Sequence, residues 1–342
     1  MRKRLSSILQ YVIFLGGGIF LVWWQLKSMT VEQKSAFLTA FKHANYWLLF
    51  PVIITIFLGH ISRAMRWKIM MEPLGYTPAL KNVFAVTMIG YFANAAIPRL
   101  GEILKCTFLA RYEKLKVDKL VGTIIIERAF DFSCYLFFIG ITVLIQIDLL
   151  GEFVKEKLKN FTVSPGFPLW GKLLIIAAFL LLLFYLIKYL FKKFPQNKAI
   201  FKINNFIYGI LEGFNSIRNL KRRKAFLLHT LFIWTAYLLE IYMGFFAMEG
   251  TSHLSIKAGF SVLSLATLAM IITPGGIGSF PIFVMETLLI YNISSTLGIA
   301  FGWLMWGIFT IIIIIAGLFA LLLLPYMNKS KNQDEVSTNN SR

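Results

Sequence analysis

Charges set inside apolar sequence are the residues of this chain that could do chemistry. "NAAIPRLGE", Asn94 to Glu102, follows the apolar run "NVFAVTMIGYFA" without a break and supplies Pro98, Arg99, Gly101 and Glu102. "TIIIERAFDFSCYLFF" carries Glu127, Arg128 and Asp131; Glu127 and Asp131 share one helical face and Arg128 lies three residues before Asp131. "HISRAMRWK" carries Arg63 and Arg66 at what reads as the end of an apolar segment. They read there as orientation signals, though arginine's planar fork also suits a lipid phosphate. Glu240, in "WTAYLLEIYMGFF", and Glu286, in "PIFVMETLL", are single acids in apolar surroundings. A charge at the centre of a membrane span costs about 2.5–3.5 kcal/mol on insertion scales, so such residues face a polar interior, pair with one another, or sit among headgroups.

The elements that must position them are membrane helices. The chain has 342 residues, 58% hydrophobic and 15% charged. A soluble domain carries about 25% charged residues. Apolar segments fall at 8–26, 46–62, 82–97, 119–149, 169–190, 225–248, 258–273, 281–293 and 298–325. A crossing takes about 20 residues, so 82–97, 258–273 and 281–293 are short. The basic start resembles a signal peptide, but "VWWQLK" offers no small-residue cleavage site, which reads as a retained first span.

The formal net charge is +19, and its lysines and arginines lie between apolar segments. That is the positive-inside pattern plus attraction to anionic lipid, and no nucleic-acid partner is expected. The basic stretches 63–81 and 99–119 both read as cytoplasmic, which a single crossing between them forbids. The conflict disappears if 82–97 enters and "ILKCTFLA", 103–110, returns on the same side. The expected fold is therefore an all-α polytopic membrane protein: about six full spans plus two re-entrant Pro/Gly-broken hairpins, the second at 258–293 from outside. Eight or nine plain spans are the alternative. Residues 1–327 form one transmembrane domain, both termini are cytoplasmic, and 328–342 is a disordered cytoplasmic tail. Isoleucines and a phenylalanine three and four apart at 195–220 suggest an interfacial amphipathic helix.

"KNVFAVTMIGYFANAAIP", 81–98, and "KAGFSVLSLATLAMIITP", 257–274, share Lys, Phe, Val, Ala and Pro at the same offsets. Both continue into glycine, as "PRLGE" and "PGGIGSF". A long span, a short broken element and another long span occur twice, one copy entering from each side. Inverted halves with interrupted helices point to a transporter site near the midplane. Pro98 would stop the helix and Gly101 permit the turn after it. Irregular backbone at that depth survives only when buried in protein or lining a wet cavity. The competing account is an ordinary span ended by Pro98, with Arg99 and Glu102 among the headgroups.

Other chemistry is set aside. "GFPLWGKL" has leucine where a phosphate-binding loop needs Ser or Thr, and no strand precedes it. His43, His60, His229 and His253 show no metal spacing, two cysteines make no disulfide framework, and no G-x-S-x-G appears. No cofactor or metal is expected.

"RAMRW", "NAAIPRLGE", "ERAFD" and "TPGGIGSF", in this order and spacing, resemble the lysylphosphatidylglycerol synthase transmembrane family, the flippase-like domain proteins. The resemblance covers about 8 to 325. It implies a helical domain with paired re-entrant elements, joined in the best-known members to a soluble aminoacyl-transferase. That domain moves aminoacylated phosphatidylglycerol to the outer leaflet. No soluble domain follows Pro325 here, so transferase activity is not expected. The expectation is a lipid translocase of the cytoplasmic membrane acting on an anionic or aminoacylated phospholipid or a polyprenyl-phosphate lipid, with a separate synthase as a possible partner. Asn94, Arg99, Glu102, Arg128 and Arg63 or Arg66 would meet the phosphate or its counter-charge. Pro98, Gly101, Pro274, Gly275, Gly276 and Gly278 would shape the hairpin tips. A membrane-embedded glycosyl- or lipid-modifying enzyme and a non-transporting subunit of an envelope complex are the alternatives.

Overall fold

The computed structural model describes residues 16–146, apart from 19, 26 and 98, and residues 217–329. Most of the first and all of the fifth apolar segment, the interfacial helix at 195–220 up to Ser216, and Pro98 lie outside the described residues. Two compact units are present, Met1–Ile124 with Ile217–Arg342, and Ile125–Ser216.

Among the described residues all regular structure is helical: α1 (Val31–Lys42), α2 (Phe50–Met71), α3 (Leu80–Ala96), α4 (Leu100–Glu113), α5 (Val117–Ile145), α6 (Arg223–Phe245), α7 (Ile256–Ile272), α8 (Ser279–Leu289) and α9 (Ser295–Met327). Four stretches are long and apolar enough to cross a membrane: Tyr46–Leu74, Val117–Ile145, Arg223–Phe245 and Ser295–Met327. Much of the outer face of α9 is bare hydrocarbon, including Ile311, Ile315, Leu318, Phe319 and Leu322. An apolar surface of that extent has no place in water. α1 was not anticipated from its sequence; Thr30 and Gln33 close a capping box at its start.

Two features of the second span differ from the sequence reading. The helix runs through "RAMRWKIMM" to Met71, so Arg63 and Arg66 lie inside it and do not close it. Asn328, assigned to the tail, is the buried C-cap of α9 and exchanges amide hydrogen bonds of 2.9 Å with Asn82.

α3 and α4 pack as a helical hairpin, as do α7 and α8. At about 1.5 Å per residue, α3 and α7 are each about 25 Å long, and α4 and α8 shorter, against about 30 Å of hydrocarbon. Glu113 closes the base of the first hairpin, accepting from Asn82 Nδ2 at 2.6 Å and from the Ala79 amide at 3.0 Å.

α9 shows how the two hairpins stand to each other. Lys81 Nζ reaches the Met327 carbonyl at 3.3 Å, and Phe92 covers Gly317. From the other end, Gly298 lies against Met285, Gly302 lies against Pro281, and Trp306 donates to the Gly275 carbonyl at 2.8 Å. The hairpins therefore approach from opposite ends of α9, and their tips reach its middle third. α3 also touches the 274–276 turn. The end holding Glu72, Glu113, Arg222 and Met327 is the basic one, with Lys81, Arg111, Lys114, Lys116, Lys119 and Lys221 to Lys224 around it.

Candidate functional site

The structure gathers polar side chains where α2, α3 and α6 meet. α2 and α6 run antiparallel. Arg222 pairs with Glu72 at 3.2 Å at the basic end, and Gly59 faces Ala236 and Glu240 farther in. On α2, His60, Arg63 and Arg66 follow one another at helical spacing of three. Counted from Met71, they lie about 16, 12 and 8 Å along the helix. The first two are thus near mid-depth of a 30 Å core.

Arg63 donates to the Tyr91 hydroxyl at 3.0 Å, and its guanidinium lies over the rings of Tyr91 and Tyr237 at 5.9 and 5.6 Å. Arg66 is fully buried, donates to Thr230 Oγ1 at 3.3 Å and lies against the Phe226 ring. Ser62 Oγ and His229 Nδ1 share a 2.9 Å hydrogen bond. Next to them Trp67 donates to Thr123 Oγ1 at 2.8 Å, and the buried Lys105 ammonium sits 3.8 Å from the Trp67 ring centre. Aromatic faces and hydroxyls are among the contacts that hold these cations.

Glu240 is 5% exposed, and Arg63 acts on it electrostatically across the α2–α6 contact. Its side chain points back along α6 toward the basic end, as helical side chains do, and would stand 3.7 Å from a Cβ at Gly59. Sequence gives Glu240 no neighbour of opposite sign; the fold gives it one. His60 packs against Tyr91 with ring centres 5.1 Å apart, and neither of its buried ring nitrogens has a hydrogen-bond partner among the described residues.

The first tip is built differently from the expectation. Gly101 is helical, in the first turn of α4. It is required for contact: a Cβ there would overlap the Gly90 carbonyl. Arg99 itself takes the left-handed conformation at the turn, with φ 68°, a region costly for a residue that is not glycine. Asn94 Oδ1 accepts from the Gly101 amide at 2.8 Å and so satisfies one of the open donors of α4. Arg99 is exposed and forms no ion pair with Glu102. Glu102 is half-buried in the first turn of α4, where the helix dipole favours an acid.

The second tip uses three left-handed glycines, Gly275, Gly276 and Gly278. Pro274 begins its short turn. Gln25 ties it down, donating to the Gly278 carbonyl at 2.7 Å while accepting from Trp303 Nε1 at 3.1 Å. Glu286 is exposed on α8. In the other unit, Glu127 is buried, Arg128 exposed and Asp131 half-buried along α5.

Sequence reasoning missed His60, Tyr91, His229, Tyr237 and Lys105. The signal was present as His60-x-x-Arg63-x-x-Arg66 and Tyr237-x-x-Glu240, polar stripes at helical period inside apolar segments.

Long apolar helices, bare apolar surface and cations held among the helices define a multi-pass helical membrane protein with a polar interior. The lysylphosphatidylglycerol synthase TM region family matches residues 7–329, and the chain belongs to that family. It is also similar to the UPF0104 membrane protein MJ1595 of Methanocaldococcus jannaschii, 22% identical over 74% of this chain and 77% of that protein. No solved structure matches the chain.

Proposed function

We infer that the chain moves a phosphate-bearing or aminoacylated lipid between the leaflets of the cytoplasmic membrane. The observation that carries the reading is the placement of Arg63 and Arg66 inside the bundle, with Arg63 bonded to Tyr91 on the first of two hairpins that approach from opposite ends of α9. A headgroup crossing hydrocarbon needs a polar path, because an unpaired charge there is too costly. Arginine's fork donates to two phosphate oxygens at once.

In this reading the basic end faces the cytoplasm, both termini lie on that side, and the two hairpins are re-entrant from opposite faces. Arg63 and Arg66 hold the phosphate, Tyr91 and Tyr237 line its passage, and the exposed Arg99 meets it at the first tip.

The test is lipid transfer in phosphatidylcholine liposomes carrying fluorescent phosphatidylglycerol, read by quenching of the outer leaflet. Wild-type protein makes the protected half accessible. Arg63→Gln slows this at least tenfold and Arg63→Lys less, since lysine keeps the charge without the fork. Wild-type transfer rates in the folded Arg63→Gln, Arg66→Gln double variant would refute the reading.

A further inference from the structure

We propose that Glu240 is a proton-binding site whose loading and unloading drives lipid movement through the α2–α3–α6 cluster. The inference rests on the translocase reading above and adds its energy source.

Glu240 is buried about midway along the antiparallel α2–α6 pair and has neither a hydrogen bond nor an ion pair among the described residues. A buried acid without partners must carry a proton or meet a ligand. A metal or alkali cation is a poor occupant. Such ions need several oxygen ligands, and no group of three His, Cys, Asp or Glu side chains is present among the described residues. A Cβ built at Gly59 would stand 3.7 Å from Glu240 Oε1, and Arg63 acts on Glu240 as a nearby cation. A proton needs no such cage.

The groups around Glu240 are few. α2 supplies His60 and Arg63, with Arg66 one turn on. α6 supplies Tyr237 and Tyr242, and α3 supplies Tyr91 through Arg63. α7 offers only Lys257, exposed at its start, and α9 only Tyr326, exposed near its far end. His60 adds a second unsatisfied protonatable ring about one turn from Arg63. The series Arg66, Arg63, His60, Glu240 thus descends from the basic end to the middle of the bundle.

The step balances simply. The carboxylate takes one proton from the aqueous side it faces and becomes a neutral acid, and the same proton leaves to the other side. Arg63 is the switch. When Glu240 is ionised its charge draws Arg63 away from a bound phosphate. When Glu240 is neutral, Arg63 is released to the phosphate while bonded to Tyr91 on the first hairpin.

The experiment uses the full chain in phosphatidylcholine liposomes with fluorescent phosphatidylglycerol and a pH dye inside, with an imposed gradient of either sign. Wild-type transfer should change at least fivefold with gradient direction and be accompanied by proton flux. Glu240→Gln should lose both responses, and Glu240→Asp should keep them. Infrared difference spectra of the detergent-solubilised protein supply a lipid-independent readout. A protonated-carboxyl band should titrate in the wild type and vanish in Glu240→Gln. Gradient-indifferent wild-type transfer, an unaltered gradient response in folded Glu240→Gln, or absence of that band would each overturn the proposal. If wild-type protein moves no lipid under any gradient, the translocase reading falls, and the infrared band alone decides whether Glu240 binds a proton.

Discussion

Gly101→Ala puts a methyl group where the two helices of the first hairpin touch. Beyond its overlap with the Gly90 carbonyl oxygen, the new Cβ would stand 2.6 Å from the Gly90 carbonyl carbon and 2.8 Å from Asn94 Cγ. Ordinary contact begins near 3.5 Å, so α3 and α4 must part by about 1 Å. Backbone cannot swing aside as a side-chain end can, so the cost lies at the upper end of the overpacking range, about 3 kcal/mol. Parting the helices also stretches the 2.8 Å bond from Gly101 to Asn94, about 1 kcal/mol. Alanine's better helix propensity returns about 1 kcal/mol. The net loss is about 3 kcal/mol. Gly122→Ala is the internal control, because a Cβ there meets nothing within 4 Å; it should stabilise by up to about 1 kcal/mol. Gly90→Ala, at 3.0 Å from the Gly101 carbonyl oxygen, should fall between. Unfolding titrations in mixed micelles, followed by far-UV circular dichroism, give the order. If Gly101→Ala proves as stable as Gly122→Ala, the close helix contact is not there.

Single cysteines at Tyr76 and Lys114, in a background lacking Cys106 and Cys134, should both be protected from an impermeant maleimide added outside cells, since Glu113 ties both ends of the first hairpin to one side; labelling of only one would rule that hairpin out. Arg99→Gly removes the charge yet suits φ 68°. Relief of about 1 kcal/mol of strain is offset by a similar gain in unfolded-state entropy, so thermal stability should hold while lipid transfer drops. Trp306→Phe deletes the 2.8 Å bond to the Gly275 carbonyl and should cost about 1 kcal/mol in the same titration. One alanine inserted after Phe309 turns the two ends of α9 by about 100°, so a Phe92→Cys, Gly317→Cys disulfide and a Met285→Cys, Gly298→Cys disulfide should no longer form in the same molecule.

The helices were legible where apolar runs were long; the helical pairing of the first hairpin was suggested by charge on both flanks, and that of the second by its likeness in sequence to the first. Depth was not legible. Arg63 and Arg66 look like headgroup anchors because "HISRAMRWK" has the composition of a span end. Thr230, Tyr91 and Tyr237, contributed from 28 to 174 positions away, are what bring them into the bundle. Nor could the sequence say which residue of "PRLGE" makes the turn. Glycine is the usual choice for a left-handed position, yet here the glycine is spent on helix contact and Arg99 takes the strained conformation. Glu240 was visible as a lone acid, but its counter-charge lies on another helix and no local spacing could show it.

Two jobs are divided between different parts of this bundle. α9 has no charge along its whole length and meets the hairpins through glycines: Gly298 and Gly302, one turn apart, on α8, and Gly317 on α3. Small residues spaced four apart let helices close on one another in lipid, where no hydrophobic force would press them together. α9 therefore fixes the level of both tips with an uncharged helix, whose indole donors Trp303 and Trp306 serve the second tip. α2 and α6 do the reverse. They carry Arg63, Arg66, Glu240 and Tyr237. For the proposed lipid translocation, an apolar post of fixed register beside a polar seam is what a headgroup path would require. The tips must keep their register while the charges between them change partners, and the first hairpin joins the two jobs because α3 presents Phe92 to α9 and Tyr91, the next residue, to Arg63.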